Sequence, residues 1–108
     1  MPLSFSEYQA LALRTYKGPS APVHMLTNGA LGLTGEAGEV ADLVKKFMYP
    51  SKPGDGLDAY ERITAELGDV LWYVALVAQA VGVPLESIAA ANIAKLAKRH
   101  NVPEPTSN

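Results

Sequence analysis

Residues 34–44 read T-G-E-A-G-E-V-A-D-L-V, and residues 64–74 read T-A-E-L-G-D-V-L-W-Y-V. At one constant offset Thr34 is matched by Thr64, Glu36 by Glu66, Gly38 by Gly68 and Glu39 by Asp69, with Val40 and Val44 matched by Val70 and Val74. The repeated unit is a pair of acids flanking a glycine, each pair just ahead of an apolar run. Helical geometry decides what the repeat means. Successive helix residues turn by about 100°, so with Val40 at zero Glu36 lies about 40° to one side and Glu39 about 100° to the same side. Glu66 and Asp69 take the same angles around Val70, because the spacing is identical. Each pair therefore sits on the shoulder of an apolar stripe. If the two helices pack antiparallel through their stripes, the shoulders converge and four carboxylates share one space. Gly38 and Gly68 would shorten the approach by removing a side chain beside each pair.

Outward from the repeat, the chain divides into helix-length pieces. Leu26, Ala30, Leu33, Ala37, Val40, Val44 and Phe47 follow alternating steps of four and three, an amphipathic helix that Pro22 can open. Pro50 to Gly56 is a loop. A third helix from about Asp58 carries Ile63, Leu67, Val70, Val74, Val77 and Val81, and Gly82 is placed to end it. Ser4 and Glu7 form a capping box for a first helix that Gly18-Pro19 stops. Pro84 fits the first turn of a fourth, with Glu86 near its positive end. No segment alternates with the period of a strand for long. The expectation is an all-α chain: one four-helix-bundle-like domain over residues 1–100 and a tail over 101–108. Gly29, Gly32, Gly35 and Gly38 recur every third residue, and each costs about 1 kcal/mol inside a helix. Either another helix or a ligand approaches closely there, or the helix starts later, near Leu31.

Four close carboxylates need protons or a cation. An all-oxygen set, with no cysteine in the chain and no histidine at matching spacing, favours Mg²⁺, with Mn²⁺ as the alternative, over Zn²⁺. Mg²⁺ keeps waters and takes further oxygens from substrate phosphates, so the pattern points to a phosphate-handling metal site. A single E-x-x-E is ordinarily a solvated pair. Two copies on core shoulders are not. Histidine never follows at the Glu-x-x-His spacing of di-iron bundles, which argues against a redox centre, and His24 and His100 are read as surface or loop residues. In the fourth helix Asn92 falls in the stripe of Leu85, Ile88, Ala89 and Leu96, with Lys95 and Arg99 on its edge. Asn92 either caps or bonds to another helix, or the three grip a phosphate or sugar.

The remaining totals exclude more than they assign. The chain has 108 residues, 48% apolar and 19% charged, a globular composition. A net charge of −2 gives no footprint for nucleic acid or an anionic membrane. The apolar run Val70–Ala78 is shorter than the roughly 20 residues of a bilayer span. Lack of cysteine and of a secretion-type N-terminus fits a cytoplasmic protein. Beyond Asp69 the third helix is apolar on every side, and Trp72 lies about 160° from Val70, so one buried face cannot hide both. A homo-oligomer built around this helix is expected, with the metal site at or near an interface.

The stretches L-G-L-T-G-E-A-G-E-V-A-D-L-V-K-K, A-E-L-G-D-V-L-W-Y-V-A and A-N-I-A-K-L-A-K-R-H resemble the MazG-like nucleotide pyrophosphohydrolases of the all-α NTP pyrophosphatase superfamily, from about Leu31 to His100. The resemblance implies Glu36, Glu39, Glu66 and Asp69 as Mg²⁺ ligands, Glu36 or Glu39 also acting on the attacking water. It implies Asn92, Lys95 and Arg99 as substrate contacts, in the family's last-helix N-x-x-K-x-x-x-R pattern. It further implies hydrolysis of a nucleoside triphosphate to monophosphate and pyrophosphate, for nucleotide-pool control, by a homodimer or homotetramer. Phosphoribosyl-ATP is the alternative substrate. A helical oligomerisation or binding module without turnover is the reading from another class.

Overall fold

The computed structural model describes residues 2–105, and among these every regular element is helical. The helices are α1 (Phe5–Ala12), α2 (Pro22–Met48), α3 (Ala59–Val81) and α4 (Leu85–His100), with a 3-10 turn at Leu13–Thr15 after α1. The start of α1 is the expected box: Ser4 Oγ accepts from the Glu7 N–H, and the Glu7 carboxylate accepts from the Ser4 N–H, both at 3.0 Å. Pro22 opens α2 without a side-chain cap, and the helix runs unbroken through all four spaced glycines, so a start near Leu31 is excluded. The loop after it is ordered by Asp55, whose Oδ2 accepts from the N–H groups of Ser51 and Lys52 at 2.9 and 3.2 Å. Gly82 ends α3 in the left-handed conformation that glycine adopts at no steric cost, and the Val83 N–H reaches back to the Ala78 carbonyl at 3.0 Å.

Packing is dominated by the α2–α3 hairpin. Its register is set by two glycines. A Cβ on Gly29 would stand 2.6 Å from Val77 Cγ2, and one on Gly32 would stand 2.0 Å from the Tyr73 ring. Moving back along α2 from Gly32 to Gly29 moves forward along α3 from Tyr73 to Val77, so the helices are antiparallel. The close approach therefore falls at Gly29 and Gly32. A Cβ on Gly35, Gly38 or Gly68 would meet nothing within 4 Å, so Gly38 and Gly68 do not bring the acid pairs together within this chain.

α1 crosses α3 and is pinned to it. The Trp72 indole N–H donates to the Ala12 carbonyl at 3.0 Å and to Thr15 Oγ1 at 2.9 Å. This answers part of the Trp72 problem inside one chain: α1, not a partner, takes its polar edge. Gln9, 8% exposed, ties three helices together. Its amide N–H₂ donates to the Ala75 carbonyl at 3.4 Å, and its Oε1 accepts from the Leu85 N–H at 2.9 Å. Gln9→Leu leaves the first N–H of α4 buried without a partner. We expect it to cost about 1–3 kcal/mol in denaturant unfolding, the usual range for a buried orphan group.

The chain does not close a bundle on its own. α4 touches α1 and α3 but not α2. Among the described residues, Leu76 is the one large apolar side chain that is fully buried. The radius of gyration is 16.9 Å, where a compact domain of this length has about 13 Å. The accessible surface is 7936 Å², where a compact monomer of this mass has about 5,800 Å². By length and a mean hydropathy of 1.2, α3 reaches what a membrane crossing needs, unlike the shorter Val70–Ala78 run taken alone. Glu66 and Asp69 interrupt that stretch, and its packing along α2 gives its apolar surface a helical partner. Of the tail, Asn101 caps α4 in the left-handed region, residues 102–105 follow without regular structure, and 106–108 lie outside the described residues.

Candidate metal centre

Antiparallel α2 and α3 carry Glu36 to Glu66 and Asp69. One carboxylate oxygen from each of the three lies within 4.8 Å of the others. Glu36 and Glu66 are half-buried and Asp69 is exposed. Glu66 Oε2 is enclosed and makes no hydrogen bond. A shared hydrogen bond with Glu36 pushes the Glu66 carboxyl above its ordinary value of 4.5, with burial and the negative charges of Glu36 and Asp69 pushing the same way. The orphaned oxygen and the raised proton affinity have one physical cause: the cluster lacks positive charge. A hard divalent cation satisfies both, since it accepts carboxylate oxygens and removes the repulsion.

Glu39 stands outside this trio. It is exposed and lines a separate cleft of about 330 Å³ with Asp42, Lys46, Arg62 and the other flank of Glu66. Its angle of about 100° from Val40, against about 40° for Glu36, is why α2 presents one acid to the trio and the other to the opposite flank of Glu66. Asp42 is half-exposed and pairs with Lys46 at 2.7 Å one turn on. Asn92, Lys95 and Arg99 are all exposed on α4, and none lines the cleft at the trio. Asn92 falls on the stripe as expected, but α4 buries only Leu85 and Ala97, so that stripe is largely uncovered in the single chain. His24 and His100 are exposed.

The trio opens into a cleft of about 390 Å³ lined by Thr15, Glu36, Asp69, Trp72 and Tyr73. Thr15 lies outside the acid repeat, and Trp72 and Tyr73 fall in its second copy where the first has Asp42 and Leu43, so the matched positions alone could not find them. The available signal was Trp72 lying off the stripe, which required a second covering element, and that element delivers Thr15. Tyr8 on α1 is near enough to feel the site: burial pushes its phenol up, and the Asp69 charge adds to this.

Residues 26–102 match the family described as the MazG nucleotide pyrophosphohydrolase domain. The chain is 38% identical over 99 residues to the "Gene 37 protein" of Mycobacterium phage L5, covering 85% of this chain and 84% of the phage protein. No solved structure matches.

Proposed function

The chain belongs to the MazG nucleotide pyrophosphohydrolase family, and from that premise we propose that it hydrolyses a nucleoside triphosphate to a monophosphate and pyrophosphate, with Mg²⁺ or Mn²⁺ held by Glu36, Glu66 and Asp69. The observation that carries the proposal is the convergence of those three carboxylates on one point with an oxygen of Glu66 left unpartnered. Bound there, the cation would bind phosphate oxygens and offset the charge that develops as the phosphoanhydride breaks. The base that accepts the proton from the attacking water is Glu36, or Glu39, which stands about one turn on from Glu36 and borders Glu66 on its other flank. The water oxygen bonds to phosphorus, the phosphoanhydride P–O bond breaks to give monophosphate and pyrophosphate, and the proton goes to the carboxylate. No covalent nucleophile is required of a chain without cysteine.

The test is pyrophosphate release from a panel of ribo-, deoxy- and damaged nucleoside triphosphates with Mg²⁺, with Mn²⁺ and with EDTA. We expect metal-dependent release that falls by about 10²–10⁴-fold in Glu39→Gln, the usual contribution of a general base. Folded Glu39→Gln with wild-type turnover would remove Glu39 from the chemistry. No release from any triphosphate would overturn the reaction, and phosphoribosyl-ATP would then be assayed.

We further propose that the working form is a homo-oligomer in a cytoplasmic setting. The chain exposes about 2,000 Å² more than a compact monomer of its mass would, on the scale of an obligate interface. On α2 the exposed surface from Leu26 through Ala30, Ala37 and Ala41 to Val44 carries no charge, and its small residues would let another helix come close. Assembly is also the route by which Asn92, Lys95 and Arg99 could reach an acid centre that α4 of the same chain does not line. Light scattering should return at least twice the chain mass. The single-chain value, 11.5 kDa, would exclude it.

A further inference from the structure

Beside the acid cleft lies a second cleft of about 480 Å³. The two share Trp72 and Tyr73 as a common wall, and consecutive residues, Thr15 and Tyr16, line one each. Their chemistry is opposite. The first holds two of the three clustered carboxylates. The second is lined by rings, small and aliphatic residues and one amide, Asn28, and by no Asp, Glu, Lys or Arg. A ligand that fills both has a polyanionic end, held through a cation, and a neutral planar end. We propose, resting on the nucleotide reading above, that the second cleft is the subsite for the substrate's base, that Trp72, Tyr73 and Tyr16 supply its aromatic wall, and that Asn28 determines which base is taken.

The rings are held before any ligand arrives. Trp72 is fixed by its two hydrogen bonds to the Ala12–Thr15 turn. Tyr73 meets the indole edge-on at 4.9 Å between centroids and lies across the bare backbone of Gly32. The Tyr16 hydroxyl donates to the Pro19 carbonyl, and its ring packs over Gly18, where a Cβ would collide with it. Three rings thus lose little freedom on binding, and a planar heterocycle gains stacking against them at low entropic cost. Stacking is indifferent to the identity of the base. Discrimination needs a polar group, and an amide, with a donor and an acceptor on one plane, matches the edge of a base. Among the described residues Asn28 is the only amide side chain at this cleft.

Trp72 is the only tryptophan in the chain and borders both clefts, so its fluorescence reports binding without turnover. Two titrations with Mg²⁺ separate the subsites, one with each nucleoside triphosphate and one with inorganic tripolyphosphate. Nucleotides should quench Trp72 and bind at least about tenfold more tightly than tripolyphosphate, the increment of one good contact set. Asn28 is exposed, so its variants should fold. Asn28→Leu should raise KM about tenfold for the preferred nucleotide with kcat kept, and flatten the ranking among bases. Asn28→Asp, which only accepts, should move the ranking toward guanine, whose edge offers two adjacent donors. Tripolyphosphate binding as tightly as nucleotides, or both variants keeping the wild-type ranking, would overturn the subsite. If wild type released no pyrophosphate from any nucleotide, the hydrolase reading would fall, while base-dependent quenching weakened by Asn28→Leu would still uphold the base subsite and its absence would reject it.

Discussion

Glu66→Gln should lower metal-dependent pyrophosphate release by at least about 10²-fold, the scale for losing one charge-stabilising group at a reaction centre, while raising the melting temperature of the metal-free protein. Both effects follow from one carboxylate. In the folded chain Glu66 faces Glu36 and Asp69 with one oxygen enclosed and unpartnered. An amide there carries no charge and can donate to Glu36, so the apo cluster loses its repulsion, but it is a poorer ligand for a hard cation. The pH dependence fixes the sign. The folded carboxyl titrates above its ordinary 4.5, so the folded state holds a proton that the unfolded chain has released. Stability from this group is present below that ordinary value and is lost as pH rises through the raised one. The advantage of Glu66→Gln in EDTA should therefore be small at acid pH and grow toward neutrality. Added Mg²⁺ should reverse it, stabilising wild type and leaving the variant nearly unchanged. Glu7, Asp42 and Asp55 titrate below their ordinary values and lose stability in the opposite direction. The difference between the two proteins, not either profile alone, is the quantity to measure. Equal melting temperatures at neutral pH with EDTA would mean that the three carboxylates do not strain the apo fold.

How much of this was legible in the sequence follows from what repeats. Glu36, Glu66 and Asp69 were legible because spacing fixes angle on a helix and an angle can be read from residue numbers. Glu39, expected beside them from the same spacing, stands outside the cluster. Its angle is further from the stripe, and the roughly 60° between shoulder and flank decides which side of the α2–α3 seam it faces. The glycines were legible as an anomaly but not in their assignment. Nothing local separates Gly32, which lies under Tyr73, from Gly38, which faces open space. That distinction belongs to the register of two helices. The aromatic clefts were the least legible. Thr15, Tyr16 and Asn28 lie in or after α1 and early in α2, and they meet Trp72 only because α1 folds back across α3. α4 shows the converse limit. Its pattern demands a covered stripe, and its own chain does not cover it.

Gly32→Ala tests the register and the site together. In an ordinary helix interior this change gains about 1 kcal/mol. Here the new methyl would sit 2.0 Å from the Tyr73 ring, and overpacking of that kind costs about 1–3 kcal/mol. The ring has little room to yield, because Trp72 meets it edge-on and is itself bonded to α1. The seam must open instead. Glu36 is one turn beyond Gly32 on α2, and Asp69 is one turn before Tyr73 on α3, so an opening at this level separates the carboxylates that must meet. A displacement of about 1 Å at a reaction centre can cost about 10²-fold in rate. We expect Gly32→Ala to be less stable than wild type and 10–100-fold slower, on that scale. Gly35→Ala is the matched control: same helix, same residue change, and no atom of the chain within 4 Å of the added Cβ. It should gain about the 1 kcal/mol of helix propensity and keep its metal affinity. Urea unfolding of the pair, read beside pyrophosphate release, separates the outcomes. If both variants were stabilised alike, Tyr73 would be free to turn aside, and the α2–α3 distance at the acids would be set by the acids and their cation and not by the glycine. If Gly32→Ala lost stability but kept its rate, the carboxylates would re-form their cluster on a looser seam, which requires the cation to supply the closing force.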